Sequence, residues 1–260
     1  MKLSVLTENF AGGRFQAEHG LSYFIEYKNK RILFDTGNSD LFLANAAKLG
    51  IDIEKDADTV ILSHGHWDHG DGLRYIKNKP LICHPSAFMA RYRKRDMSYI
   101  GLSLTRKEVE EQFQLITTAQ PYRIDRDIIF LGEIPSKNNF ERQTTTFVDK
   151  KGEPDFVPDD TALAIIKDNE LVVVTACSHA GICNIVDYAM EVSGIRQVKA
   201  VIGGFHLKKN DAQTKETIRY MKELNIKEIR PSHCTDLPAM AAFHEAFECE
   251  QVKTGMVFNF

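Results

Sequence analysis

Several features are missing from this 260-residue chain, and each absence narrows its class. No stretch of ~18 consecutive apolar residues occurs, so no transmembrane helix and no membrane partner are expected. The opening segment Met1 to Glu8 turns polar too early for a secretory signal peptide. No C-x-x-C pair is present, and the five cysteines (Cys83, Cys177, Cys183, Cys234 and Cys249) are odd in number. They read as reduced thiols of a cytoplasmic protein. Positive charge is not in excess: the formal net charge is −3, which gives no electrostatic case for nucleic acid. Neither a Pro/Ser-rich linker nor an internal repeat divides the sequence, so residues 1–260 are expected to form a single domain. A hydrophobic content of 43% suffices for a substantial core.

What the chain has instead is a concentration of metal-ligand chemistry. His64-Gly65-His66-Trp67-Asp68-His69 follows the apolar run Val60-Ile61-Leu62. The run reads as a short buried strand, and Ser63 to Gly72 as the loop leaving it. Imidazole nitrogens and a carboxylate oxygen are ligands that divalent zinc, iron or manganese accept. Four such side chains on one tight turn exceed what a single ion easily uses. The pattern points to two ions, with His64 and His66 on one and Asp68 and His69 on the other.

Strands dominate the first part of the chain and then alternate with helices. Leu3 to Leu6, Leu21 to Tyr27 and Arg31 to Phe34 read as strands, and Leu41 to Leu49 has helical spacing. The second half offers strands at Ala162 to Ile166, Leu171 to Thr175, Lys199 to Ile202 and Glu228 to Arg230. Helical segments are expected at about 182–193, 211–224 and 238–247. Three of these strands run out into a histidine: Cys177-Ser178-His179, Gly203-Gly204-Phe205-His206 and Pro231-Ser232-His233-Cys234. A side chain at a strand end has little freedom, which suits a metal site. His179 and His233 are therefore candidate ligands, and His206 a candidate substrate contact or proton donor.

The hexad resembles the signature of the metallo-β-lactamase superfamily, and the resemblance extends along most of the chain. Together with Glu18-His19-Gly20-Leu21-Ser22, Cys177-Ser178-His179, Gly203-Gly204-Phe205-His206 and Pro231-Ser232-His233-Cys234-Thr235, it is similar to one subgroup. That subgroup includes the archaeal dihydropterin-ribofuranosylaminobenzene-phosphate synthase and bacterial metal-dependent hydrolases. The resemblance implies an α/β fold, a four-layer αβ/βα sandwich, with an inserted lid region at about 85–158 between the metal motifs. It also implies two divalent transition-metal ions, zinc first and iron or manganese as alternatives, held by His64, His66, Asp68, His69, His179 and His233. Asp35, on the turn after Phe34, would fix the tautomer of a ligand histidine from the second layer. The usual G-H-x-x-G string and bridging aspartate are missing. Either His179 is the third ligand of the first ion, the favoured reading, or Asp160 is a ligand and His179 takes the bridging region.

Substrate choice is expected to lie between His69 and His179. Arg91-Tyr92-Arg93-Lys94-Arg95 is a dense cationic run in a net-acidic chain, and guanidinium forks match phosphate oxygens. Arg91, Arg93 and Arg95 are thus candidate phosphate contacts. The expected activity is hydrolysis of a small anionic, phosphate-bearing substrate by a metal-bound hydroxide, with Asp68 and His206 in catalytic roles. A transferase acting on a pterin diphosphate is the alternative, and a non-catalytic metal or metabolite sensor the weakest one. Homo-oligomer formation is left open.

Overall fold

The computed structural model describes residues 1–260, with fifteen strands and seven α-helices. The chain divides into two compact units, Met1–Thr118 with Thr146–Asp155 and Lys253–Phe260, and Ala119–Thr145 with Phe156–Val252.

The first unit opens with β1 (Lys2–Thr7), β2 (Ser22–Tyr27) and β3 (Lys30–Phe34), an antiparallel meander. Two helices follow, α1 (Leu41–Lys48) and the single turn α2 (Ile53–Asp56). Then come β4 (Thr59–Ile61), the short helix α3 (Trp67–Gly70), β5 (Pro80–Cys83) and β6 (Arg91–Arg93). Helix α4 (Arg106–Gln112) leads to β7 (Gln114–Thr117). β4, β5 and β7 extend the meander in parallel on one side, and β15 (Val257–Asn259) closes the other, giving the order β15-β1-β2-β3-β4-β5-β7.

Both faces of this sheet are buried, and alternation decides which side chains meet the helices. Leu6, Phe24, Leu33, Val60 and Leu81 pack with Phe42 and Ala46 of α1 and Val109 of α4. Each such side chain contributes about 1.5–3 kcal/mol on full burial. α4 starts at a capping box in which Thr105 and Glu108 satisfy each other's backbone amides.

The second unit holds β8 (Tyr122–Asp125), β9 (Ile128–Phe130), β11 (Ala162–Lys167), β12 (Glu170–Thr175), β13 (Val198–Gly204) and β14 (Glu228–Ser232). Their order is β14-β13-β12-β11-β9-β8, with β12, β13 and β14 parallel. Continuous runs such as Leu171 to Val174, all buried, are what a parallel strand covered on both faces requires. Helices α5 (Ile182–Ser193), α6 (Ala212–Glu223) and α7 (Leu237–Phe247) connect and cover these strands. Ile185, Val186, Met221 and Phe243 meet Leu171, Val173 and Val201 there.

Each unit is therefore one sheet with helices packed on it, the α/β class expected. Residues 85–158, expected as an inserted lid region, are divided between the two units. They supply α4 and β7 to the first unit and β8 and β9 to the second. Only β6 and β10 (Phe147–Asp149) stand apart, as a two-stranded antiparallel ribbon in the first unit.

Candidate metal centre

In the first unit the hexad leaves β4 as expected, but the segment expected as a loop is partly helical. Trp67–Gly70 is one helical turn and Asp71–Tyr75 a 3-10 turn. The Trp67 amide donates to Ile100 O, while Leu21 N and Thr36 N donate to Asp68 O and His69 O. The loop's backbone is thus bonded on three sides and presents its side chains from a fixed frame.

Asp35 organises that frame. It is fully buried and its backbone lies in the left-handed region, at φ 57°. Such strain in a non-glycine residue gathers where surrounding structure enforces it. Its carboxylate accepts from Ser63 N at 2.7 Å, Ser63 Oγ at 2.6 Å and His69 Nδ1 at 2.8 Å. A carboxylate needs a donor, so Nδ1 of His69 carries the proton and Nε2 presents a lone pair. Ser63 has spent its single hydroxyl proton on Asp35 and can only accept from His64 Nδ1, 2.9 Å away. His64 therefore also presents a lone pair on Nε2. One carboxylate sets the tautomer of two histidines, the second-layer device common to metal sites.

The lone pairs converge. His64 Nε2 and His66 Nδ1 are 3.0 Å apart. Two ligands of one tetrahedral ion, each bonded at about 2.0–2.1 Å, lie about 3.3 Å apart. His69 Nε2 and Asp68 Oδ2 are 3.7 Å apart, the second pair expected. Asp68 Oδ2 also meets His19 Nε2 at 3.2 Å. The donor set and its spacing fit divalent transition-metal ions.

In the second unit the three candidate histidines follow the neighbouring parallel strands β12, β13 and β14, at the same end of the sheet. Ser178, His206 and His233 all have left-handed φ values, 54°, 51° and 47°. The turns are laced together: Gly204 N donates to Ala176 O at 2.8 Å, Ser178 Oγ to Gly204 O at 2.6 Å, and Phe205 N to Thr235 Oγ1 at 2.9 Å. His179 packs against His206 with ring centroids 4.3 Å apart. His206 lies with Cys177 and Cys234 in a cluster whose ligand atoms are all within 4.8 Å of one another. Burial alone would push the Cys234 thiol up. Hydrogen bonding with Cys177 and His206, and the charges of His206 and His233, outweigh it and hold the thiol well below its ordinary value.

Asp160 is fully buried beside this cluster's loop. Its Oδ2 accepts from Ala180 N at 3.0 Å, and Oδ1 has no hydrogen-bond partner. Burial raises its pKa to about 7. Its bond to Ala180 makes it a brace for the segment carrying His179.

The cationic run does not behave as one unit. Arg91 is fully buried, which corrects its expected role as a phosphate contact. Nε donates to Asp155 at 2.7 Å and a second nitrogen donates to Ser86 O. It also lies under the hexad: a Cβ on Gly65 would stand 2.9 Å from Nη1 of Arg91 and 1.8 Å from Ala87 O. Only glycine fits there, and Arg91 is a support for the hexad loop. Arg95 is exposed and pairs with Asp96. Arg93 is opposite Phe147 across the ribbon, and the Phe147 ring packs edge-on against His66 at 4.9 Å. Directly opposed residues share a face of the ribbon, so Arg93 is on the side that faces the hexad.

Four contributors go beyond the residues that the sequence marks. Ser63 flanks the hexad and His19 lies inside the string Glu18 to Ser22, yet nothing in their spacing signals a contact with Asp35 or Asp68. Cys177 and Cys234 sit beside His179 and His233, and their repeated strand-end placement is the signal available for them.

Residues 16–184 match the model of the metallo-β-lactamase superfamily. An uncharacterized protein of Methanocaldococcus jannaschii is 36% identical over 246 residues, covering 92% of this chain and 92% of that protein. A second protein of that organism is 35% identical over 285 residues, covering 100% of this chain and 97% of the relative. It is named 7,8-dihydropterin-6-methyl-4-(beta-D-ribofuranosyl)-aminobenzene-5'-phosphate synthase. Among solved structures, Tm1679, described as a metal-dependent hydrolase of the β-lactamase superfamily, superposes with a TM-score of 0.88 at 31% identity, covering 100% and 99% of the two chains. A diphosphatase from the PhnP family shares the fold at 15% identity, with a TM-score of 0.58 and coverage of 100% and 97%.

Proposed function

Because the chain belongs to the metallo-β-lactamase superfamily, we propose that it is a metal-dependent hydrolase of a small, phosphate-bearing molecule. The observation that carries this reading is the buried Asp35 relay, which turns the Nε2 lone pairs of His64 and His69 outward beside His66 and Asp68. In this reading His64, His66 and His179 hold one divalent ion and Asp68, His69 and His233 the other, zinc being the first candidate. Bound ions would supply Lewis acidity and a nucleophile usable at neutral pH. The chain's own residues do the rest. Asp35 fixes two imidazoles, Asp68 orients the attacking group, and His206 donates a proton to the leaving oxygen. Arg93 holds the phosphate, because its face of the ribbon is the one turned toward His66.

The test is metal analysis of the purified protein, followed by turnover of a panel of phosphomonoesters, phosphodiesters and lactones. Well over one ion per chain with phosphoester hydrolysis supports the proposal; a chain that takes up no metal sinks it. A transferase reading has one specific support, the relative named as a synthase that covers the whole chain. Diphosphate release from a pterin diphosphate, dependent on an added aromatic acceptor, would replace hydrolysis with that chemistry.

A further inference from the structure

A buried histidine of the first unit stands outside the candidate ligands. His84 follows β5 directly and is only 3% exposed, yet its ring serves the backbone. Its dihedrals, φ −74° and ψ 145°, are those of an N-cap, and it heads the single 3-10 turn Pro85–Phe88. Pro85 has no amide to satisfy, so the first open donor of the turn is Ser86 N. That amide donates to His84 Nδ1 at 3.1 Å, and Ala87 N donates to His84 O at 3.1 Å. Nδ1 therefore holds a lone pair, and Nε2 carries the proton of the neutral ring.

What rests on this turn gives the cap its importance. Ala87 is fully buried, and a Cβ on Gly65 would collide with its carbonyl and stand 2.9 Å from Arg91 Nη1. Gly65 separates His64 from His66, whose facing nitrogens are 3.0 Å apart. The Ala87 carbonyl thus sets the level of the peptide between two candidate ligands of one ion. We propose that His84 is a positioning residue for the hexad, capping through Nδ1 the turn on which Gly65 is seated. This role rests on the reading of the hexad as a metal-binding loop.

A 3-10 turn of four residues does not hold itself, because so short a helical piece is marginal in water. It keeps its place through its two ends. At the exit, Ser86 O accepts from Met89 N at 3.1 Å and from Arg91 Nη2 at 3.3 Å. At the entry the side-chain partner is His84. A carboxylate cap in its place would bury a charge, whereas a neutral imidazole caps without one. Histidine is not among the usual N-caps, so the sequence gives no sign of the role.

Two variants separate the cap from the ring. His84→Phe keeps a flat ring and removes the acceptor, while His84→Asn removes the ring and keeps an acceptor. In competition with a chelator, His84→Phe is expected to bind metal about tenfold more weakly, the scale of a lost second-layer partner. His84→Asn should stay within about twofold of the parent, since asparagine is a good cap. Affinity in His84→Phe equal to the parent overturns the role, and so does an equal loss in both variants. A parent that takes up no metal removes the reading of the hexad and this role with it; a parent that binds, matched by His84→Phe, removes this role alone. Trp67, the chain's single tryptophan, gives a readout without metal. Its emission in the metal-free protein should change in His84→Phe and match the parent in His84→Asn; emission unchanged in His84→Phe also overturns the role. Should His84→Phe fail to fold, the unaltered protein decides: nitrogen NMR should show a bare Nδ1 and a protonated Nε2 on His84, and a protonated Nδ1 overturns the cap.

Discussion

In the first unit four candidate ligands come from one loop of six residues, whereas in the second each comes from the end of a different strand. The two constructions solve the same problem with different means. A loop has conformational freedom, so the hexad must be held from outside: by Asp35 through Ser63 and His69, by Arg91 beneath Gly65, and by Ile100 on Trp67 N. Strand ends start out fixed by the ladder, so His206 and His233 need only a left-handed turn to aim their rings. The loop therefore depends on buried polar partners, and the strand ends on the sheet. Substitutions that spare the ligands should separate the two.

The largest effect is expected from the loop's candidate ligands themselves. His66→Ala or Asp68→Ala should lower turnover by about 10²–10³ or more, the scale on which loss of a key electrostatic group acts. Circular dichroism should change little, because the motif sits beyond the strand and adds nothing to the core. Melting should fall to the value of the metal-free parent and no lower. Saturation at 100 times Kd adds only about 2.7 kcal/mol. An alanine variant with parental turnover would remove these residues from the reaction.

Next comes the support beneath the loop. Arg91→Met leaves Asp155 buried without its cation, and breaking a buried pair in this way costs about 3–5 kcal/mol. Denaturant unfolding reads this directly. Arg95→Met, on an exposed side chain, should leave stability where it was. Equal effects of the two substitutions would return Arg91 to the surface.

Asp35→Asn should cost about 10–100-fold in metal affinity or activity, as loss of second-layer partners does. An amide can donate where the carboxylate only accepts, which frees His69 to turn its other tautomer inward. Competition with a chelator measures the loss. The equivalent brace in the second unit, Asp160, bonds the backbone of Ala180 rather than an imidazole nitrogen, so Asp160→Asn should move metal affinity less.

The same contrast explains which parts of the fold and the site are legible in the sequence. The hexad announces itself because four candidate ligands fall within six residues; the strand-end histidines are visible because each follows an apolar run. Helix α5, expected at 182–193, is Ile182–Ser193, since its apolar spacing is regular and Gly194 stops it in the left-handed region. By contrast, β8 and β10 give no strand signal, since Tyr122–Asp125 and Phe147–Asp149 are short and mix charged with apolar residues. β9, Ile128–Phe130, is an apolar run of the same kind as Val60-Ile61-Leu62 but is followed by no ligand string that draws attention to it. Arg91 misleads for a related reason. Charge in a sequence says nothing about burial, and its partner Asp155 lies 64 positions away.

Glu141 offers a smaller, pH-dependent test inside the second unit. Its carboxylate accepts from Cys183 N and Asn184 N at the start of α5, where Gly181 supplies no capping side chain. Burial raises its pKa above the usual glutamate value, against the hydrogen bonds from Cys183, Asn138 and Asn184. A carboxyl whose folded pKa is raised binds its proton more tightly when folded. Its contribution is therefore present at low pH and is lost as pH rises from about 4.3 through the folded value. Glu141→Gln should flatten the fall in stability across that window; an unchanged slope would assign the dependence to another group.

The smallest expected effect concerns the substrate and returns to the ribbon beside the loop. Arg93→Gln should raise KM for a phosphorylated substrate by about tenfold, which corresponds to about 1.4 kcal/mol of binding. The reason for choosing Arg93 is its register with Phe147, whose ring touches His66, while Arg91 is committed to Asp155 and Arg95 to Asp96. A guanidinium that only holds a distal phosphate contributes equally to ground and transition states, so kcat should stay near the parent value. Metal content should not move, because Arg93 is no ligand. Inhibition by free phosphate should weaken in parallel with the rise in KM. A variant that keeps its KM and its phosphate inhibition would make the ribbon a structural brace for the hexad and nothing more.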